Sequence, residues 1–266
     1  MSQIDFNQLE KNFRISLDSQ EGAIFSLSVA DLTVEGGALQ LIETYGRIIK
    51  APDTATPAAA FCGWFAFLVA GFQYALSTWD AVPDMAPGNV TVQLHPVGDY
   101  DWFSFQIHPS TKAAPGGAGE RAAWQQQVLR EFYADTVRPF FACLAKVAKI
   151  NVNQLWGQLT PKLLWSMDAF YQDVDEATKQ RAADDYQYLK DELSPDVFGM
   201  KRNPFRVKTR KIESLVDPDQ QVCLNTACCL LYRTADGDYC YACPRLKEEE
   251  REIRRKNYRA AVGQAT

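Results

Sequence analysis

Residues 58 to 72, "AAAFCGWFAFLVAGF", form an unbroken apolar run, and the stretch continues as "QYALSTW" to Trp79. The run falls short of the roughly 20 residues a bilayer crossing needs, and Gln73, Asp80 and Asp84 supply no cationic anchor at its end. The pattern predicts a core helix, apolar all round, opened by "TATPAAA", and no integral membrane span. A peripheral contact with a membrane surface is the second reading of the same run.

Elsewhere the periodicity changes. "IFSLSVADLTVEGG" predicts a strand ending in a Gly-Gly turn, followed by a helix over "ALQLIETYGRIIK". Alternation over Val90–Leu94 and again over Trp102–Ile107, separated by Pro, Gly and Asp, predicts a β-hairpin. His95 and His108 lie near its ends and are expected to pair across it. "AAPGGAG" marks a loop. Beyond it, Trp124, Val128 and Phe132, then Phe141, Leu144 and Val147 or Ala148, follow helical spacing, with Pro139 breaking or restarting the helix. "NQLWGQLTPKLLWSMDAFYQ" and "DEATKQRAADDYQYLKDEL" continue as shorter helices. The end, "PRLKEEEREIRRKNYRA", predicts a charged helix with Glu250–Arg254 and Glu252–Lys256 at favourable i,i+4 spacing. The expected fold is α+β: a mainly helical body with a small antiparallel sheet over residues 1–200, and a C-terminal hairpin module over residues 201–266.

The chain of 266 residues is long enough to bury a sizeable core without disulfides. A formal net charge of -5 argues against a general nucleic-acid binder, which carries a basic excess. The opening "MSQIDFNQLEKNFRISLDSQEG" lacks the basic and then apolar pattern of a secretory signal, so a cytoplasmic location is expected. There, clustered cysteines serve as metal ligands or redox thiols more often than as structural disulfides. All seven cysteines cannot pair within one chain in any case.

From residue 201 the composition shifts. "KRNPFRVKTRK" holds six cations in eleven residues without an acid, and it precedes "CCLLYRTADGDYCYAC". Asp236-Gly237 signals a two-residue hairpin. In that register Leu230 faces Cys243, with Cys229 beside the pair, and Cys240 faces Arg233. The returning strand must leave the ladder if Cys240 is to join one small site with Cys229. Four thiolates gathered in this way suit soft metals, either a tetrahedral zinc or an iron–sulfur cluster. The vicinal pair favours the larger cluster, because zinc sites space paired ligands by two to four residues. A vicinal disulfide in a thiol sensor is the third reading.

The pattern Cys-Cys-x10-Cys-x2-Cys, filled by Cys228, Cys229, Cys240 and Cys243, resembles the C-terminal signature of the FhuF-type ferric siderophore reductases. Asn203-Pro204 with the following basic run is similar to that family's approach to its motif. The resemblance implies that these four cysteines hold a [2Fe-2S] cluster. It also implies an oxidoreductase that reduces siderophore-bound iron(III) to iron(II) by one electron, with hydroxamates as the expected siderophore class. A structural four-cysteine zinc hairpin, without enzymatic activity, is the alternative. Cys223 matches no ligand of the pattern, and Cys62 and Cys143 sit in apolar helical stretches as small core residues.

Reduction of such a cluster adds negative charge, which nearby cations or hydrogen-bond donors stabilise. Arg233 and Arg245 are the candidates for that role. The chain offers no Ser-His-Asp arrangement and no P-loop, and "GGAGE" lacks the context of a nucleotide loop. Electrons are therefore expected from a protein donor such as a ferredoxin. Arg202, Arg206, Lys208 and Arg210, with Lys201 and Lys211, would dock that acidic donor or an anionic siderophore. Trp79 or Trp102 could contact the siderophore, while most of the six tryptophans belong to the core.

Overall fold

The computed structural model describes residues 3–97, 100–115 and 117–263. In chain order the elements are α1 (Phe6–Phe13), β1 (Ile15–Ser16), β2 (Phe25–Ser28), α2 (Val29–Leu32), α3 (Glu35–Ile48), α4 (Ala55–Trp79), β3 (Ala81–Pro83), β4 (Val90–Val97), β5 (Tyr100–Ile107) and β6 (Thr111–Ala113). Then follow α5 (Ala118–Arg130), α6 (Arg138–Ala148), α7 (Val152–Trp156), α8 (Leu159–Phe170), α9 (Glu176–Gln187), β7 (Lys211–Glu213), β8 (Gln221–Cys223) and α10 (Glu248–Gly263). The fold is α+β.

The apolar run folds as expected. α4 packs against α1, α3, α6, α8 and α9, and Phe61, Phe65, Leu68, Val69 and Leu76 are fully covered. By length and composition α4 could cross a membrane, but 78% of its most apolar window is buried within the protein. A helix without a polar stripe has no face to give to water, so the other elements wrap it. Its start is fixed by Asp53, whose carboxylate accepts from the Thr56 N–H and from Thr56 Oγ1, both at 2.8 Å.

The predicted hairpin is present as β4 and β5, paired Val92↔Phe105 and Leu94↔Phe103, in a four-stranded sheet of order β1-β5-β4-β2 with β1 parallel to β5. Val90, Val92, Leu94, Phe103, Phe105 and Ile107 turn one face to the core. The other face carries Gln93, His95, Trp102 and Ser104. His95 does not meet His108: its Nε2 lies 2.8 Å from Ser104 Oγ and its ring stacks on Trp102. His95 stands opposite Trp102 in the register, whereas His108 falls one residue beyond the last pair.

One further expectation changes and another resolves between its two readings. The strand from residue 24 stops at Ser28, because Ser28 and Asp31 form a capping box that starts α2, and the two glycines fall in the first turn of α3. Pro139 restarts its helix rather than breaking it, standing in the first turn of α6. A π-helical stretch, Glu131–Val137, joins α5 to α6 directly, and the wider turn there lets Arg138 N–H reach Tyr133 O five residues back.

Candidate metal centre

The cysteine-bearing segment contains no strand ladder. Leu231–Arg233 makes one 3-10 turn, and bonds from Arg233 N–H to Leu230 O (2.9 Å) and from Gly237 N–H to Thr234 O (3.0 Å) wind the chain further. The two-residue hairpin expected at Asp236-Gly237 is therefore replaced by a wound loop. Two residues cause this. Leu230 adopts a left-handed φ of 66°, turning the backbone sharply after the vicinal cysteines. Gly237 passes so close to the 3-10 turn that a Cβ there would lie 2.1 Å from Leu231 O. A Cys240 O to Cys243 N–H bond of 2.9 Å closes the Cys-x-x-Cys turn.

This winding brings all four predicted cysteines together. Cys228 Sγ and Cys243 Sγ lie 3.8 Å apart and are both buried. Two thiolates at about 2.3 Å from one tetrahedral metal stand about 3.8 Å apart, so this pair already has the spacing of a shared metal ion. The exposed Cys240 lies beside the half-buried Cys229. Their interaction holds the Cys229 thiol below the ordinary cysteine value and pushes Cys240 up, while burial raises Cys228 to about 11. Among the described residues, no three Cys, His, Asp or Glu side chains converge on a single-ion site. The thiols are thus grouped two and two.

The loop is seated on the body from three sides. Beneath it, Cys228, Cys243, Leu230 and Leu246 pack with Ala59 of α4 in a small second core. At the α7–α8 junction, Gln154 and Gln158 donate their side-chain amides to Cys228 O, and Thr226 Oγ1 donates to Gly157 O at 2.6 Å. Gly157 allows this approach, since a Cβ there would fall 2.6 Å from Ala227 Cβ. From the C-terminal side, α10 grips the loop through its arginines. Arg251 donates to Tyr241 O (3.0 Å) and Cys243 O (2.8 Å), and Arg254 donates to Tyr239 O and to Asp238.

Arg233 and Arg245 lie in the loop, but their charges are engaged elsewhere. Arg233 pairs with Asp53 at 2.8 Å, tying the loop to the start of α4. Arg245 donates to Tyr232 Oη at 2.8 Å and stacks over that ring. Arg251, 4% exposed and paired with Glu248 at 2.9 Å, is a cation that sequence reasoning missed, in contact with the backbone of a motif cysteine. Its signal was present as an arginine eight residues after the last cysteine on a predicted helix, although nothing in the spacing says which way that helix turns. Of the pairs predicted on α10, Glu252–Lys256 forms at 2.7 Å, whereas Arg254 serves the loop instead. Asn225 Nδ2 donates to Cys240 Sγ at 3.6 Å, a second contact that spacing did not reveal.

Arg202, Arg206, Lys208 and Arg210 are all exposed. Arg210 O accepts from Leu224 N–H, which places the basic segment along the β7–β8 ribbon leading into Asn225 and the loop. Asn203 and Phe205 within it are structural: the Asn203 amide donates to Leu189 O and Leu193 O, and Phe205 enters the main core. Cys62 is fully buried in the main core and Cys143 packs against it, while Cys223 is partly covered at the end of β8. Asn151, Gln154, Ala227, Cys228, Pro244 and Arg245 border an open cleft of about 430 Å³ at the loop's edge.

Residues 226–245 match the family model described as the FhuF 2Fe-2S C-terminal domain, which supports the resemblance carried by the cysteine spacing. The matched region is, by that description, a [2Fe-2S]-binding domain. No curated protein matches the chain.

Proposed function

We propose that this chain, with its C-terminal module of FhuF type, is a cytoplasmic ferric siderophore reductase whose [2Fe-2S] cluster is held by Cys228, Cys229, Cys240 and Cys243. The reading is carried by one observation: a segment matching the FhuF 2Fe-2S C-terminal domain gathers its four thiols in two pairs, one of them at 3.8 Å. When bound, such a cluster accepts one electron from an external donor and passes it to iron(III) held by oxygen donors, which release the iron(II) so formed.

The residues divide the work around that transfer. Buried Cys228 and Cys243 anchor one side of the centre against Ala59, and Cys229 with the exposed Cys240 forms the side that faces partners. Arg251 and Asn225 supply positive charge and a hydrogen-bond donor where negative charge increases on reduction. The exposed Arg202, Arg206, Lys208 and Arg210 offer an acidic donor such as a ferredoxin a complementary surface beside the loop.

The test is electron paramagnetic resonance on anaerobically purified protein, before and after reduction, with iron, sulfide and zinc assayed on the same sample. The expected result is a silent oxidised form, an anisotropic spin-half signal on reduction, and loss of that signal when a ferric siderophore is added. Stoichiometric zinc without sulfide would make the module structural and end the reductase reading. Serine replacement of each cysteine should abolish or alter the signal. Retention of both cluster and iron release would remove that residue from the ligand set.

A further inference from the structure

A second site lies apart from the thiols, where the polar face of the sheet meets the end of α1 and the junction of α4 with α8. The pocket, about 480 Å³, is lined by Arg14, Phe67, Trp102 and Trp165 among others. Arg14 holds the left-handed conformation that ends α1, with φ 62°. This turn brings its guanidinium carbon within 5.1 Å of the Trp102 ring centre, 5.2 Å of Trp64 and 5.7 Å of Phe67. Lys162 stands behind the same wall, its Nζ 3.9 Å from the Phe67 ring centre and 4.3 Å from that of Trp165.

Two features set this pocket apart from an ordinary surface cleft. Among the described residues no carboxylate comes within ion-pair distance of Arg14 or Lys162. Glu10 also lines the pocket, its carboxylate accepting from Gln20 at 2.9 Å, and the cation of Lys11 in the same lining offsets its charge. Trp165 is left 42% exposed at the opening although it is a large apolar side chain. Two cations without counter-ions, set against flat aromatic walls, match a ligand that is both anionic and aromatic. A neutral chelate would satisfy the rings but leave the cations unmatched.

The pocket is connected to the metal centre through the helices that hold both. Phe67 lies eight residues along α4 from Ala59, about 12 Å at 1.5 Å per residue. Lys162 follows one helical turn after Gln158, whose amide holds Cys228 O.

We propose that this pocket binds an aryl oxyanion, the catecholate-type arm of a ferric chelate, in preference to a neutral hydroxamate. For the iron-bearing form of the ligand the assignment rests on the reductase reading. The chelate's negative charge is met directly by Arg14 and through the field of Lys162 behind the wall, and its ring packs against the exposed Trp165.

Gallium(III), which is not reduced under these conditions, replaces iron in the test. A gallium tris-catecholate and a gallium trihydroxamate are titrated calorimetrically into the cluster-loaded protein and into Arg14→Gln and Lys162→Met. Circular dichroism and iron content confirm that each variant is folded. The expected result is tighter binding of the tris-catecholate, weakened about tenfold or more by Arg14→Gln and severalfold by Lys162→Met, with little change for the trihydroxamate. No tris-catecholate binding, or equal binding by all three proteins, overturns the assignment. Reoxidation of the reduced cluster by the ferric forms of both chelates separates the two claims. Reoxidation without Arg14-dependent binding leaves the reductase and removes this pocket. Arg14-dependent binding without reoxidation by any ferric complex keeps the aryl-oxyanion site and removes the reductase.

Discussion

Lys162 is an expensive residue to fold, and replacing it measures the expense. Burial, with the charge of Arg14 adding to it, lowers its ammonium from 10.5 to about 8. At about 1.4 kcal/mol per pH unit, keeping the charged form folded costs roughly 3 kcal/mol near neutral pH. Contacts with the Phe67 and Trp165 rings return part of this, each worth about 0.5–1 kcal/mol. Methionine keeps the length and a favourable sulfur–ring contact without the charge. Lys162→Met is therefore expected to stabilise the protein by about 1–2 kcal/mol at pH 7, which corresponds to about 2–8 °C in Tm for a chain of this size. The pH dependence gives the sharper signature. Between about pH 8 and 10.5 the unfolded chain still binds the proton that the folded chain has lost, so wild-type stability gains on the variant as pH rises through that window. Below pH 8 the gap between the two proteins is constant, and by pH 10.5 wild type has gained roughly 3 kcal/mol, so the order of stability reverses. Tyrosines and cysteines titrating in the same range are common to both proteins and cancel in the difference. The assay is thermal unfolding followed by circular dichroism at a series of pH values, with equal iron content. A variant less stable than wild type at pH 7, or a gap that does not narrow between pH 8 and 10.5, would refute the reasoning. A cation kept at such a cost is what a binding site under a stability–function compromise contains.

Three further outcomes are expected. Gly157→Ala places a Cβ 2.6 Å from that of Ala227 and should lift the loop off the α7–α8 junction, lowering iron and sulfide per chain severalfold while helical content is kept; full loading would show that the loop does not depend on that contact. Arg251→Gln removes the donors to Tyr241 O and Cys243 O and leaves the Glu248 carboxylate, which Arg251 holds at 2.9 Å, with one cation fewer, so a redox titration followed by electron paramagnetic resonance should give a lower midpoint potential; an unchanged or higher value would exclude Arg251 as a stabilising group. Arg233→Gln should leave that potential almost unmoved, because Asp53 already balances the charge, and should cost no more than about 1 kcal/mol in thermal unfolding for a half-exposed pair; a clear potential shift would restore Arg233 as a tuning residue.

Much of the body was legible because its signals are local or periodic. An apolar run with no polar stripe can only be covered on all sides, and α4 is. Alternation over Val90–Leu94 and Trp102–Ile107 can only place one set of side chains inward, and the observed register does so. The approach of the four cysteines was legible from a different source, the specificity of one spacing. The path by which they approach was not, because the hairpin signal at Asp236-Gly237 is overridden by the left-handed turn at Leu230 and the close passage of Gly237.

Contacts between residues far apart in the chain had no trace in any local pattern. Arg233 pairs with Asp53 across 180 positions, and Arg251 turns into the loop from a helix whose sequence reads only as a charged surface. Arg14, Phe67, Trp102, Lys162 and Trp165 come from α1's end, α4, β5 and α8, and of these only Trp102 was singled out from the sequence. Spacing along a chain carries the chemistry of residues that act within one loop or one face. Which distant side chains share a site, and which charge is spent on which partner, is settled by packing, where burial and the pairing of polar groups must be met for all segments at once.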